Sequence, residues 1–311
     1  MMNKKILKWI KVCLINILLC QVNVYAHSDS GKPLNIVTSF YPMYAITKEI
    51  VGDKHNVLMI NSGNGIHGFE PSANDMAAIY NSDIFIFHSV SLESWTKNIP
   101  TNAKGKNVKL IEASKGLDLL KVHGLEDMEV VEGMNQASLY DPHTWLDPLE
   151  AGREAQLIAE ELSELDPLNA EYYKQNAEEF NLEATSIVKK YQPIFSELKQ
   201  KTFVTQHTAF SYLAQRFGLT QLGIAGVSSD VEPTTRQLAE IQKFVAQYKV
   251  KTIFVEPNTN QNIAEVVAKA TGADIVIMSP LENDPKNQQS FLSNLDNTIN
   301  ILANTLKKEG K

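Results

Sequence analysis

Past residue 20 the chain contains no cysteine; its two cysteines are Cys13 and Cys20. A fold built from the remainder therefore stands without disulfides. No apolar run is long enough for a membrane span: the stretch Val12 to Cys20 falls well short of the ~20 residues such a helix needs. A basic surplus is missing too, with 29 Lys and Arg against 36 Asp and Glu and a net charge of −7. An acidic balance disfavours nucleic acid and anionic lipid as partners. There is no low-complexity tract and no internal sequence repeat. What is there is a 311-residue chain, 43% hydrophobic, long enough for two domains with a sizeable core.

The N-terminus reads as an export signal. Lys4, Lys5, Lys8 and Lys11 precede the apolar stretch, and "VNVYAHS" offers small-residue positions at Val24 and Ala26. Cleavage after Ala26 makes residues 1–26 a leader. Without its four lysines the mature chain has 25 basic against 36 acidic residues, or −11. Cys20 offers a second route, lipid attachment at the cell surface. Leu19 before it is a poor match, because lipoprotein processing wants a small residue there, so the expectation is an extracellular, freely secreted protein.

Beyond the leader, short apolar runs alternate with amphipathic helical patterns. "LNIVTSF", "NVLMI", "DIFIFH" and "VKLIEA" read as strands in the first half, and "KTFVT", "LTQLGI", "KTIFVE" and "ADIVIM" in the second. Helical patterns such as "MYAITKEIVGD", "PSANDMAAIY", "AFSYLAQRFG" and "TTRQLAEIQKFVAQY" separate them. Ser72 and Asp75 sit at capping-box spacing. The alternation predicts an α/β fold of two units with parallel sheets. Between the units, Leu168 to Leu198 is polar, periodic and free of glycine, with Pro193 placed to kink or end it. At 1.5 Å per residue such a helix reaches ~40 Å. The expected division is a lobe over 27–167, a rigid linking helix over 168–198 and a lobe over 199–311.

The chemistry gathers on histidines. There are seven: His27, His55, His67, His88, His123, His143 and His207. His67 follows the second strand, in "GNGIHGFEPS", and His207 follows the fifth, in "FVTQHTAF". Both lie outside the carboxyl ends of parallel strands, where α/β folds bind ligands. His143 sits in "YDPHTWLDP", between two Asp-Pro units whose prolines make a stiff loop. Glu256 and Glu282 lie on the same edge. Histidines and a carboxylate converging from two lobes suit Zn²⁺, which takes four nitrogen and oxygen ligands. On position alone the carboxylate is open between Glu256 and Glu282. Gly63, Gly65 and Gly68 spell G-x-G-x-x-G, but their strand is the second of its unit and no acidic residue ends the next one. They read as freedom for the loop carrying His67, not as a dinucleotide site.

The stretches "VTSFYPMYAITKEIVGD", "HGFEPSANDMAAIYNSDIFIFHS", "YDPHTWLDP", "KTFVTQHTAFSYLAQRFGL" and "VKTIFVEPNTN" resemble the metal-binding solute receptors of bacterial ABC importers. The likeness covers nearly all of 35–306 and is strongest to streptococcal zinc-binding, laminin-binding lipoproteins. It implies two four-stranded α/β lobes joined by one rigid helix, with the metal in the cleft. It places the ligands on His67, His143, His207 and Glu282. Manganese members carry a glutamate where His207 stands and an aspartate near the last position, so the zinc branch is implied. The His-rich loop of some zinc receptors is absent, "KVHGLEDMEVVEG" supplying only His123.

The resemblance thus implies a monomeric zinc receptor serving a membrane ABC permease, with adhesion to host laminin as a further property. Asp141 and Asp147 are the candidate acceptors for the second ring N–H of His143; capping is the alternative for each. Trp145 and Phe69 are expected to pack around the cleft, and His88 to stand by. The rival class is a zinc hydrolase. Three histidines with a water in the fourth position make a hydrolytic site, whereas ligation by Glu282 closes the shell.

Overall fold

The computed structural model describes residues 31–61, 65–99, 107–121, 140–226 and 235–310. The expected leader, Cys20, Gly63 and His123 lie outside them.

All eight apolar runs form strands. β1 (Asn35–Thr38), β2 (Asn56–Met59), β3 (Ile84–Phe87) and β4 (Lys109–Glu112) make one parallel sheet in the order β2-β1-β3-β4. β5 (Thr202–Thr205), β6 (Thr220–Gly223), β7 (Thr252–Val255) and β8 (Asp274–Ile277) make a second in the order β6-β5-β7-β8. The winding is the same in both. Central strands β3, β5 and β7 are buried throughout and read as continuous apolar or Thr-rich runs, as sheets covered on both faces require.

Eight helices surround the sheets among the described residues: α1 (Tyr41–Val51), α2 (Ala73–Asn81), α3 (Pro148–Leu165), α4 (Ala170–Ser196), α5 (Ser211–Phe217), α6 (Thr235–Gln247), α7 (Asn262–Thr271) and α8 (Phe291–Glu309). Their ends follow local chemistry. Ser72 and Asp75 form the reciprocal capping box of α2. Asp147 caps α3 by accepting from Leu149 N, with Pro148 in the first turn. Gly218, at φ +65°, closes α5 in the left-handed conformation glycine permits.

The linking helix of the sequence reading is α4, 27 residues long, starting and ending two residues inside the expected bounds. Asp166 and Pro167 end α3 and begin a 3-10 turn, so α4 starts at Ala170. Pro193 sits in its last turn without ending it. The helix is seated along one side: Tyr173, Ala177, Phe180, Ala184, Ile187, Tyr191 and Phe195, at three- and four-residue spacing, are buried. Through that stripe one core cluster runs from Ile36 and Ile84 of the first sheet to Phe203 and Phe254 of the second. Phe180 stacks on Phe291 of α8, and Phe195 packs on Phe217 of α5.

Candidate metal centre

In both sheets the strand order reverses between the two central strands, so the crevice for a ligand opens at their carboxyl ends. In the second sheet His207 follows β5 and Glu256 follows β7, one on each side of that crevice. Glu282 follows β8, and His67 follows β2 of the first sheet. The 140–148 loop carries His143 across the first sheet's crevice, where Trp145 packs edge-on against Phe40 and His88.

Within that loop Asp141 does the aiming. Its Oδ1 accepts from the backbone N–H of His143 at 2.8 Å and from His143 Nδ1 at 2.6 Å. Nδ1 therefore carries the hydrogen, and Nε2 presents its lone pair to the cleft. The Nδ1 atom of His207 is held in the same way by Glu256 Oε1. Asp147, the other candidate acceptor for His143, is committed elsewhere. Its carboxylate caps α3 and forms an ion pair with Arg216, at 2.7 Å from Arg216 Nη2.

Four donor atoms consequently face one point. Glu282 Oε1 lies 3.4, 3.3 and 3.3 Å from the Nε2 atoms of His67, His143 and His207. His143 Nε2 lies 3.1 Å from His67 Nε2 and 3.3 Å from His207 Nε2. All four lie within 4.8 Å of one another. A tetrahedral zinc ion with bonds of ~2.0–2.1 Å separates its ligands by ~3.3–3.4 Å. Five of the six donor separations match that spacing, and the sixth, between His67 and His207, lies within 4.8 Å. His143 is 0% exposed, His207 1% and Glu282 4%; His67, on the cleft side, keeps partial exposure.

The electrostatics fit a cation at that point. Burial pushes the Glu282 carboxyl up, but the three imidazoles around it, His143 foremost, outweigh this and hold it well below its ordinary range. Its Oε1 is nevertheless buried without a well-formed hydrogen bond. Burial depresses His67, with Glu282 offsetting part of the effect. Burial also depresses His143, yet the Asp141 carboxylate more than reverses this. His207 is pushed up to about 10, because the Glu256 and Glu282 carboxylates overcome its burial. Two carboxylates thus supply charge that a dication would use in place of protons.

Around the donors, Trp145 is fully buried 5.1 Å from the His143 ring, and its Nε1 donates to Pro280 O at 2.9 Å, two residues before Glu282. Phe69 packs edge-on against Trp95. His88 is not among the four, but it is no idle neighbour. It is fully buried, its Nε2 lies 2.7 Å from Thr144 Oγ1, and Thr144 donates to Glu154 at 2.5 Å. This polar chain backs the turn next to His143. Sequence reasoning left Glu256 open as the carboxylate ligand beside Glu282; the fold instead sets it on His207 Nδ1, because β7, which it follows, lies next to β5. Among the described residues no other group of three or more His, Cys, Asp or Glu converges in this way.

Comparison with known proteins places this geometry among relatives. The family described as ZnuA, zinc-uptake complex component A, periplasmic, matches residues 36–305. The zinc-binding lipoprotein AdcA of Streptococcus pneumoniae is 35% identical over 96% of this chain and 62% of its own length. This chain therefore spans about three fifths of the AdcA relatives it matches. The high-affinity zinc uptake system protein ZnuA of Bacillus subtilis is 35% identical over 84% of this chain and 82% of its own. Among solved structures, a zinc-bound variant of S. pneumoniae AdcAII superposes with a TM-score of 0.84 at 54% identity, covering 89% of this chain and 99% of that one. The laminin-binding protein Lmb of Streptococcus agalactiae, described as an adhesin with metal-transporting activity, gives 0.81 at 49% identity over 88% and 100%.

Proposed function

This chain belongs to the ZnuA family of zinc-uptake components, and we propose on that footing that it is a zinc receptor. In this reading it captures Zn²⁺ outside the cell through His67, His143, His207 and Glu282 and yields the ion to a membrane ABC permease. The carrying observation is the convergence of four donors from both sheets, five of their six separations being 3.1 to 3.4 Å, which suits one tetrahedral zinc ion. No described helix is long and apolar enough to cross a membrane, and in this reading the permease is a separate partner. The receptor works as an exported monomer; free secretion or an anchor at Cys20 would serve equally.

A shell of four protein ligands holds no position for an activated water, which argues for carriage over hydrolysis. Zinc selectivity follows from geometry, since intrinsic affinity ranks copper above zinc and manganese far below. Laminin binding, named for Lmb, is a second reading that rests on the 49% identity alone.

The test is titration of the metal-free mature protein against a competing chelator. One equivalent of Zn²⁺ is expected to bind tightly and raise the melting temperature, because an ion that binds only the folded state stabilises it by mass action. The zinc-loaded wild type is expected to hydrolyse esters no faster than the free ion, and Glu282→Ala to open the fourth position to water and weaken retention. Tighter binding of Mn²⁺ than of Zn²⁺, or robust turnover by the wild type, would overturn the reading.

A further inference from the structure

Two of the four donors come from opposite lobes, and one short helix touches the supports of both. α5 begins four residues after His207, with Phe210 at its N-cap. Its residues Tyr212 and Arg216, four apart and so on one face, reach the two ends of the loop that carries His143. At the first end Tyr212 Oη donates to Asp141 O at 2.9 Å and accepts from Leu120 N at 3.0 Å. Asp141 is the residue whose carboxylate orients the His143 ring. At the second end the Arg216 guanidinium forks onto Asp147, with Nε 2.9 and 2.8 Å from the two carboxylate oxygens and Nη2 2.7 Å from one. Glu150 stands 3.6 Å from Nη2 on the outer side.

These contacts are built to hold. Tyr212 is 3% exposed, and its hydroxyl has one donor and one acceptor partner, which fixes its rotation. An Arg–carboxylate fork sets angle as well as distance. We propose that Tyr212 and Arg216 are positioning residues of the zinc site: through α5 they lock the His143 loop to the chain segment bearing His207 and so hold the two Nε2 atoms at tetrahedral spacing. Neither touches the donor point. Their effect is selectivity, because a rigid 3.3 Å separation suits zinc and resists the wider, more numerous coordination that manganese takes with oxygen-rich sets. The proposal rests on the zinc reading of the same site, which the wild-type titration tests separately.

The experiment compares wild type with Tyr212→Phe, Arg216→Gln and Arg216→Lys. Lys190→Gln is the control; it removes an exposed ion pair to Asp296, between α4 and α8, at 2.8 Å. Each protein is measured for Zn²⁺ release to a chelator, Zn²⁺-against-Mn²⁺ competition, the visible absorption of the Co²⁺-loaded form, and melting of the metal-free form. Tyr212→Phe and Arg216→Gln are expected to speed zinc release by up to about tenfold, below the ~10–100-fold that loss of a ligand's direct partner costs, because each acts one contact further out. They are also expected to narrow the preference over Mn²⁺ and weaken the intense bands of tetrahedral Co²⁺. Arg216→Lys, which keeps the charge but not the fork, falls between, and Lys190→Gln matches wild type. Should the Tyr212 variant fail to fold, the two Arg216 variants decide. Lowered melting with wild-type release, competition and Co²⁺ bands would show a merely structural role and overturn the proposal. If wild type itself takes up no zinc, the functional reading fails instead.

Discussion

At His207 the proton and the metal compete most directly. Glu256 and Glu282 raise its imidazole to about 10 against the effect of burial, while an unfolded histidine titrates near ~6.5. In the metal-free protein the protonated ring is therefore fully stabilising below pH ~6.5, and that contribution is lost as pH rises through about 10. If His207 ligates zinc as proposed, an entering ion must displace that proton at neutral pH. Calorimetry in buffers of different ionisation enthalpy is expected to count about one proton released per ion. Glu256→Gln withdraws a carboxylate that holds the proton, so it should release fewer protons while binding zinc about 10–100-fold more weakly. An unchanged proton count in that variant would show that Glu256 does not govern the ring. Much of this site is legible in one dimension. His67, His143 and His207 stand out because each sits at a strand's carboxyl edge or in a proline-stiffened loop. The choice between Asp141 and Asp147 is not legible, since each precedes a proline near the same histidine. Only the fold shows that one faces the ring and the other faces Arg216.

Among the elements, strands were easier to read than the reasons for helix contacts. The eight apolar runs are short, bounded by polar or turn residues, and separated by helical periods, so parallel pairing follows with little ambiguity. Gly152 gives no such sign. It lies in the helical pattern "EAGREAQLIAEELSEL", where glycine is only a propensity cost. In the fold it faces Asn181 of α4, and a Cβ there would run into that side chain. Gly152→Val is expected to destabilise the protein by ~1–3 kcal/mol through overpacking. Each kcal/mol lowers the melting temperature by ~2–4 °C for a chain of this size class. A thermal melt of the variant checks it; an unchanged or raised melting temperature would mean the two helices separate without strain.

For the molecule entire, the issue is how far it moves. α4 is buried along one stripe against both lobes, and the core cluster is continuous from the first sheet to the second. Further ties cross between α1 and α8: Glu49 accepts from Phe291 N at 2.6 Å, and Asn294 Nδ2 donates to Tyr41 Oη at 3.0 Å. A wide clamp motion would have to open packed hydrophobic surface, which interiors resist. Solution scattering is therefore expected to show a radius of gyration of about 19 Å that changes by no more than about 1 Å on zinc loading. Hydrogen exchange should gain protection in the loops around His67, His143 and Glu282 and stay unchanged along α4. A change of several ångströms, or new protection throughout α4, would contradict this rigidity.

The four donors stand far apart along the chain, at positions 67, 143, 207 and 282, and draw on both sheets. An ion held among them joins those four segments at one point. No cysteine lies among the described residues, so on the proposed reading the ion would be their cross-link, one that comes and goes with each loading. On the proposed reading loading and durability would be the same event: the zinc-filled protein should resist heat and proteases as a stapled protein does. Without the ion those segments are held by packing and by hydrogen bonds such as the one Phe291 N donates to Glu49, so on the zinc reading the supply of zinc would set how long the fold withstands proteases.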